Sequence, residues 1–113
     1  MGGVNLKISK ELLKGSTTLL VLSMLEQQPM YGYQLIKRLE QRSSSVFTLK
    51  EGTLYPILHT LESEGQVEAI WSEADGRQRK TYHLTDKGRK LLQEKKAEWD
   101  LFRGSLDRVI GEV

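Results

Sequence analysis

The side chains of this 113-residue chain that could do acid–base or metal chemistry are few and poorly spaced for it. His59 and His83 are separated by a helix end and a strand, with no third ligand or nucleophile at a useful spacing, so no metal centre or catalytic set is expected. Glu62 and Glu64 lie two apart on a helical stretch and diverge, which argues against paired-carboxylate chemistry. There is no cysteine, hence no thiolate nucleophile, zinc thiolate or disulfide. An enzyme is not expected, nor a cofactor. What remains is binding chemistry. Lys50, Thr53, Tyr55 and His59 share one helical stretch, Arg77, Arg79 and Lys80 sit beside Asp75-Gly76, Tyr31 follows Pro29, and Trp99 and Phe102 lie in an apolar series. Cations near exposed turns suit phosphate, and aromatic rings suit flat apolar groups.

Positioning these residues requires elements that the spacing makes legible. Residues 12–25 are leucine-rich nearly all round, the pattern of a helix covered on most sides. Gly15 weakens its first half by up to ~1 kcal/mol relative to Ala, so a bend or a late start is expected. The residue before Pro29 avoids the helical region and ends it. Tyr31 to Arg42 reads as a short amphipathic second helix with Leu35, Ile36 and Leu39 on one face. Exposed amides at its start attract phosphate, which makes Tyr31 the better phosphate candidate and leaves Tyr33 open between that role and the core. Leu54, Ile57, Leu58 and Leu61, at i, i+3, i+4 and i+7, mark a third helix within about 48–64, ended by Gly65. Thr48 to Glu51 offers a capping-box start, but Pro56 would then kink the helix, and a start nearer Thr53 avoids this.

Gln66 to Trp71 and Lys80 to Leu84 read as two strands of a hairpin, or wing, over about 66–84, turned by the polar stretch Ser72 to Arg79. Thr85 caps a long fourth helix that runs to near Ile110. On it Leu92, Trp99, Phe102, Leu106 and Val109 form a heptad-like seam broken only by Lys95. The first three helices already supply a core, so this seam is left uncovered and a homodimer is expected. Periodicity by itself makes Trp99 a core residue.

The order of elements predicts a mainly α protein with a small β-hairpin. Residues 1–84 would form a winged helix-turn-helix and residues 85–113 a C-terminal dimerisation helix. With a net charge of only +2, any affinity for double-stranded DNA must come from local patches. Lys37, Arg38, Arg42 and Lys50 lead towards the third helix, while Glu62, Glu64 and Glu68 lie at or beyond its far end. That polarity suits a helix entering a major groove by its N-terminal part, with Thr53, Tyr55 and His59 projecting from the side opposite the leucines. Arg77, Arg79 and Lys80 would reach phosphates or an adjacent minor groove. The alternative is a winged helix used for protein contact, which salt dependence separates from DNA binding. No stretch has the ~18 to 20 apolar residues of a membrane span, and the N-terminus lacks a secretory or myristoylation pattern, so a soluble cytoplasmic protein is expected.

The runs Pro29-Met30-Tyr31-Gly32-Tyr33-Gln34-Leu35, Glu51-Gly52-Thr53-Leu54-Tyr55-Pro56-Ile57-Leu58, Leu61-Glu62-Ser63-Glu64-Gly65 and Gly76 to Thr85 closely resemble the PadR family of bacterial transcriptional regulators, across roughly residues 10–110. The single short C-terminal helix is similar to the compact subgroup, which includes multidrug-responsive repressors. The resemblance implies a homodimeric repressor that places two recognition helices and two wings on a roughly palindromic operator and is weakened by ligand. In the multidrug-responsive members a tryptophan fourteen residues after the threonine of a Leu-Thr pair stacks on flat drugs at the dimer centre, and Thr85 and Trp99 have this spacing. By the same resemblance Leu12, Gly15, Thr18 and Leu19 face that site, with Phe102 and Arg103 beside the tryptophan. Arg103 stands where the pattern has an acidic residue, a departure from a preference for cationic drugs. A planar aromatic or phenolic effector is the expectation.

Overall fold

Ser9 opens the first helix: its hydroxyl accepts a hydrogen bond from the Leu12 N–H at 3.2 Å, satisfying one of the amides that a helix start leaves without a partner. The computed structural model describes residues 8–111, and α1 runs from Lys10 to Gln27. The late start expected at Gly15 does not occur, because the Ser9 cap stabilises the first turn and Gly15 sits within a continuous helix. Thr17 is buried among apolar residues, and its hydroxyl donates to the Leu13 carbonyl at 2.8 Å.

Beyond Pro29 the sequence reading needs correction. Met30–Tyr31 is a short strand, β1, that pairs antiparallel with β3 (Arg77–Leu84), setting Met30 opposite Tyr82 and Tyr31 opposite Thr81. The second helix, α2, therefore spans Gly32–Arg42, and Tyr31 is its N-cap residue. Two residues carry no hydrophobic period, and this strand exists only because the distant β3 supplies its hydrogen bonds. The Tyr31 N–H also donates to Gln34 Oε1 at 3.1 Å, which ties strand to helix.

The third helix, α3, covers Glu51–Ser63, between the two starts considered from sequence. The Lys50 carbonyl accepts from Thr53 and Leu54 at 3.0 and 2.9 Å. Pro56 lies inside the helix. It deletes the bond to the carbonyl of Gly52, which is exposed, so solvent can satisfy that group. At the far end Gly65 has φ +74°, its N–H donates to the Glu62 carbonyl at 3.0 Å, and Gln66 donates to Leu61 at 2.8 Å. This left-handed stop turns the chain into the wing.

The wing is longer than its apolar residues suggest. β2 (Val67–Ala74) pairs with β3 along its whole length, from Val67 opposite Leu84 to Ala74 opposite Arg77. Only Asp75 and Gly76, both at positive φ, make the turn, rather than the whole of Ser72 to Arg79. The polar residues there extend the strands because the hairpin tip meets solvent, so backbone pairing needs no apolar alternation. The sheet order is β1-β3-β2.

The last helix, α4, spans Asp86–Ile110. The Thr85 hydroxyl accepts from the Gly88 N–H at 3.1 Å and donates to the Gly65 carbonyl at 2.7 Å, joining the ends of α3 and the wing to the start of α4. Gly88 is buried, and a Cβ there would overlap the Gln66 carbonyl oxygen and come 2.6 Å from Leu84 Cδ1. Gly88→Ala should therefore destabilise the protein by about 1 to 3 kcal/mol. Thermal denaturation checks this, with a midpoint lowered by about 4 °C or more expected; an unchanged midpoint would show that α4 shifts freely.

The core joins Leu22 of α1, Met30, Leu35 of α2, Leu54 and Leu58 of α3, Val67, Tyr82 and Leu92 of α4. Leu92, expected at a dimer seam, is 0% exposed within this single chain. It belongs to the protomer core, as the start of α4 is pinned by Thr85 and α4 lies against α1. The rest of the series, Trp99, Phe102, Leu106 and Val109, is exposed, together with Leu101 and Ile110. Among the described residues no helix is long and apolar enough to cross a membrane.

Candidate nucleic-acid interface and apolar cleft

Tyr55 and His59 occupy the exposed side of α3, away from the buried Leu54, Leu58 and Leu61. They face an open cleft of about 540 Å³ whose other walls are Tyr31, Gly32 and Tyr33 from β1 and the start of α2, Trp71 from β2, and Gln78 to Lys80 with Tyr82 from β3. Gly32 shapes it. A Cβ at this position would overlap the Tyr55 hydroxyl, so the absence of a side chain lets the phenol cross to the start of α2.

The cations in this cleft differ in how they are held. The Arg79 guanidinium lies over the Tyr31 ring, 4.3 Å from its centre, a cation–π contact that orients it. Lys80 donates to Glu62 Oε1 at 3.2 Å and lies 5.7 Å from the Tyr82 ring. Of the acids at the end of α3, Glu62 reaches the wing, because β3 brings Lys80 alongside the last turn of the helix. Lys50 and Thr53 are exposed at the start of α3 and Arg77 is exposed beside the hairpin turn, all outside the cleft walls. Tyr33 is exposed rather than core.

The hydrogen bond to Glu62 holds the Lys80 ammonium above the ordinary lysine value of 10.5, and burial raises Tyr82 above 10.0. Both groups bind their protons more tightly folded than unfolded. The stability they contribute is complete below their unfolded values and is lost as pH rises through the folded ones. Denaturant midpoints should carry the full contribution of this pair, without change, between about pH 7 and 9 and decline above about pH 10, the Lys80 part of that decline being absent in Glu62→Gln. A gap between the native chain and Glu62→Gln that stays the same as pH rises from about 9 through the lysine range would contradict this.

Sequence reading missed Trp71 as a site residue. It shares a strand face with Val67 and Ala69, which marked it as a strand former, and nothing in that alternation shows that the face leaves the core before reaching Trp71.

A second cleft, of about 340 Å³, lies between α1 and α4. Its walls include Leu12, Gly15 and Leu19 from α1 and Trp99 and Phe102 from α4, so the structure brings these five sequence-derived residues together. Trp99 and Phe102 stack with ring centroids 5.7 Å apart and an interplanar angle of 29°. Glu11, Lys95 and Glu98 supply charge at the walls. Arg103 does not line this cleft and instead pairs with Asp100 at 3.4 Å, one turn earlier on the same helix. Thr18 lies in a separate groove with Pro56, Ile57 and Thr60 of α3. Among the described residues no group of three or more His, Asp or Glu side chains is placed to hold a metal ion.

The arrangement of helices and wing matches known proteins. A transcriptional regulator from Clostridium thermocellum superposes with a TM-score of 0.83 at 26% identity, covering 88% of this chain and 97% of that one. A PadR family transcriptional regulator from Eggerthella lenta gives 0.80 at 34% identity, covering 88% and 86%. A transcriptional regulator of Mycobacterium tuberculosis is 31% identical over 85 residues, 75% of this chain and 77% of its own length. The family model described as transcriptional regulator PadR-like matches residues 21–94, which run from the middle of α1 through the wing into α4. With that match covering well over half of the chain, including α2, α3 and the whole wing, the chain belongs to the PadR-like family of transcriptional regulators, DNA-binding proteins rather than enzymes.

Proposed function

We propose that the protein is a homodimeric repressor of the cytoplasm that binds a roughly palindromic double-stranded operator and is released by a planar aromatic or phenolic effector. The observation that carries this reading is the position of the α1–α4 cleft. Its aromatic wall, Trp99 and Phe102, continues directly into the exposed apolar seam of Leu106 and Val109. A second copy covering the seam would close the cleft, and a flat ligand between the copies would stack on Trp99. Such a ligand would alter the spacing of the two α3 helices, which must match groove repeats ~34 Å apart to engage one face of DNA. Thr53, Tyr55 and His59 would meet base edges, and Tyr31, Lys50, Arg77, Arg79 and Lys80 the phosphates.

Labelled DNA from upstream of the protein's own gene tests this, titrated at several salt concentrations and then with planar aromatic compounds. The expected result is tight, salt-sensitive binding by a dimer, released by at least one compound. Ligand and operator affinities should be reciprocally coupled by ~1 to 3 kcal/mol. Equal ligand affinity with and without operator, read from Trp99 fluorescence, would end the effector reading; salt-insensitive contact with a protein instead of DNA would replace the repressor reading.

The Lys80–Glu62 pair adds a prediction. A neutral partner frees the ammonium for phosphate, so Glu62→Gln should tighten DNA binding by about two- to fivefold, the scale of an exposed ion pair. Fluorescence anisotropy at low salt measures it, and weaker binding would show that Glu62 is needed to hold the wing.

A further inference from the structure

Trp71 is the most exposed of the large aromatic rings on the wing side of the molecule, at 62%, and the DNA contacts assigned above leave it without a role. Its face of the sheet begins in the core with Val67 and Tyr82, both buried, and ends at Trp71, where the hairpin runs out past α3. Lys80 lies opposite it across the β2–β3 ladder, but the Lys80 ammonium is engaged by Glu62, and the indole is left bare at the rim of the cleft. Tyr33 and Tyr55, also exposed, line the same cleft, and a shared patch of exposed rings marks a binding surface.

The composition of the cleft says what that occupant is. Tyr31, Tyr33, Tyr55 and Trp71 present ring surface, Arg79 and Lys80 present positive charge, and no carboxylate is among the lining residues. Arg79 has no carboxylate within 4.0 Å among the described residues and is oriented by the Tyr31 ring. An occupant with an anionic group beside an apolar ring, repeated along a chain, is complementary to this wall, and a DNA backbone strand has that alternation of phosphate and deoxyribose. We propose that Trp71 is a DNA-contacting residue that packs its indole on a deoxyribose ring of the strand whose phosphate Arg79 holds. This rests on the reading of the cleft as a DNA interface and adds an apolar contact to it.

The chemistry of the contact sets the test. An apolar contact releases no counterion, so Trp71→Ala should weaken binding by roughly tenfold at every salt concentration, with the slope of log affinity against log salt unchanged. Arg79→Ala should make that slope shallower by about 2 for a dimer, one phosphate contact being lost from each protomer. A sugar is the same in every sequence, so the Trp71→Ala loss should be equal on operator and on mixed-sequence duplex, and Trp71→Phe should restore most of it. With 5-fluorotryptophan incorporated, the resonance that disappears in Trp71→Phe should be the one that shifts on adding duplex. Trp71 is exposed, so its variants should melt close to the parent and the binding data remain interpretable.

Unchanged affinity in Trp71→Ala while Arg79→Ala weakens binding would overturn the Trp71 contact and leave the DNA cleft standing. A loss confined to the operator would also overturn it in favour of a base contact. If neither substitution changes DNA affinity, both the contact and the reading of this cleft are wrong.

Discussion

Leu92→Ala is expected to lower the unfolding free energy by about 2 to 5 kcal/mol, the cost of removing a fully buried leucine and leaving a cavity. For a protein of this size that is a large fraction of total stability. Leu92 lies in the same helical series as Trp99, Phe102, Leu106 and Val109, and from spacing alone these five are equivalent. They are not equivalent in space: Leu92 is 0% exposed, while Val109 is 84% exposed. Leu106→Glu with Val109→Glu should leave the far-UV spectrum of the protomer intact and shift the population from dimer to monomer. Urea denaturation at two protein concentrations separates the outcomes, since dimerisation stabilises by mass action and core burial does not depend on concentration. Loss of dimer from Leu92→Ala with unchanged protomer stability would refute the division between core and seam.

Removing both wing arginines should have the largest effect on DNA binding. Arg77 and Arg79 lie on the strand that leads out of the Asp75-Gly76 turn, one exposed near the tip and one held over Tyr31. In a dimer, Arg77→Ala with Arg79→Ala would delete four phosphate contacts. Charge-assisted hydrogen bonds are each worth about 1.5 to 3 kcal/mol, so a loss of at least ~100-fold at low salt is expected. The salt slope should become shallower by about 3 to 4. Substitutions at Thr53, Tyr55 or His59 should instead change preference among sequences, because base edges rather than phosphates carry that information. Titration of operator and mixed-sequence duplex across salt checks both statements. A double arginine variant with the parental salt slope would show that the wing does not track the DNA backbone.

Much of this architecture was legible in the chain because its signals are local. The Leu54, Ile57, Leu58, Leu61 spacing marks the buried side of α3, Thr85 caps α4, and Asp75-Gly76 turns the hairpin. Five of the seven residues that the family resemblance assigns to the aromatic site line one cleft, while Thr18 lies in a neighbouring groove. Arg103 does not line the cleft and pairs with Asp100, three residues earlier on its own helix.

The sequence by itself determined the order of helices and wing, the caps and turns, and the absence of thiol chemistry, all of which depend on residues near one another in the chain. Tertiary structure alone decided that Met30–Tyr31 is a strand, that Glu62 holds Lys80, that Leu92 is core while Val109 is surface, and that Trp71 stands at the rim of a cationic cleft. The reason is physical. A hydrogen bond of a two-residue strand, an ion pair eighteen residues apart and the burial of one position in a repeating series are set by partners remote in sequence, and no local periodicity specifies them.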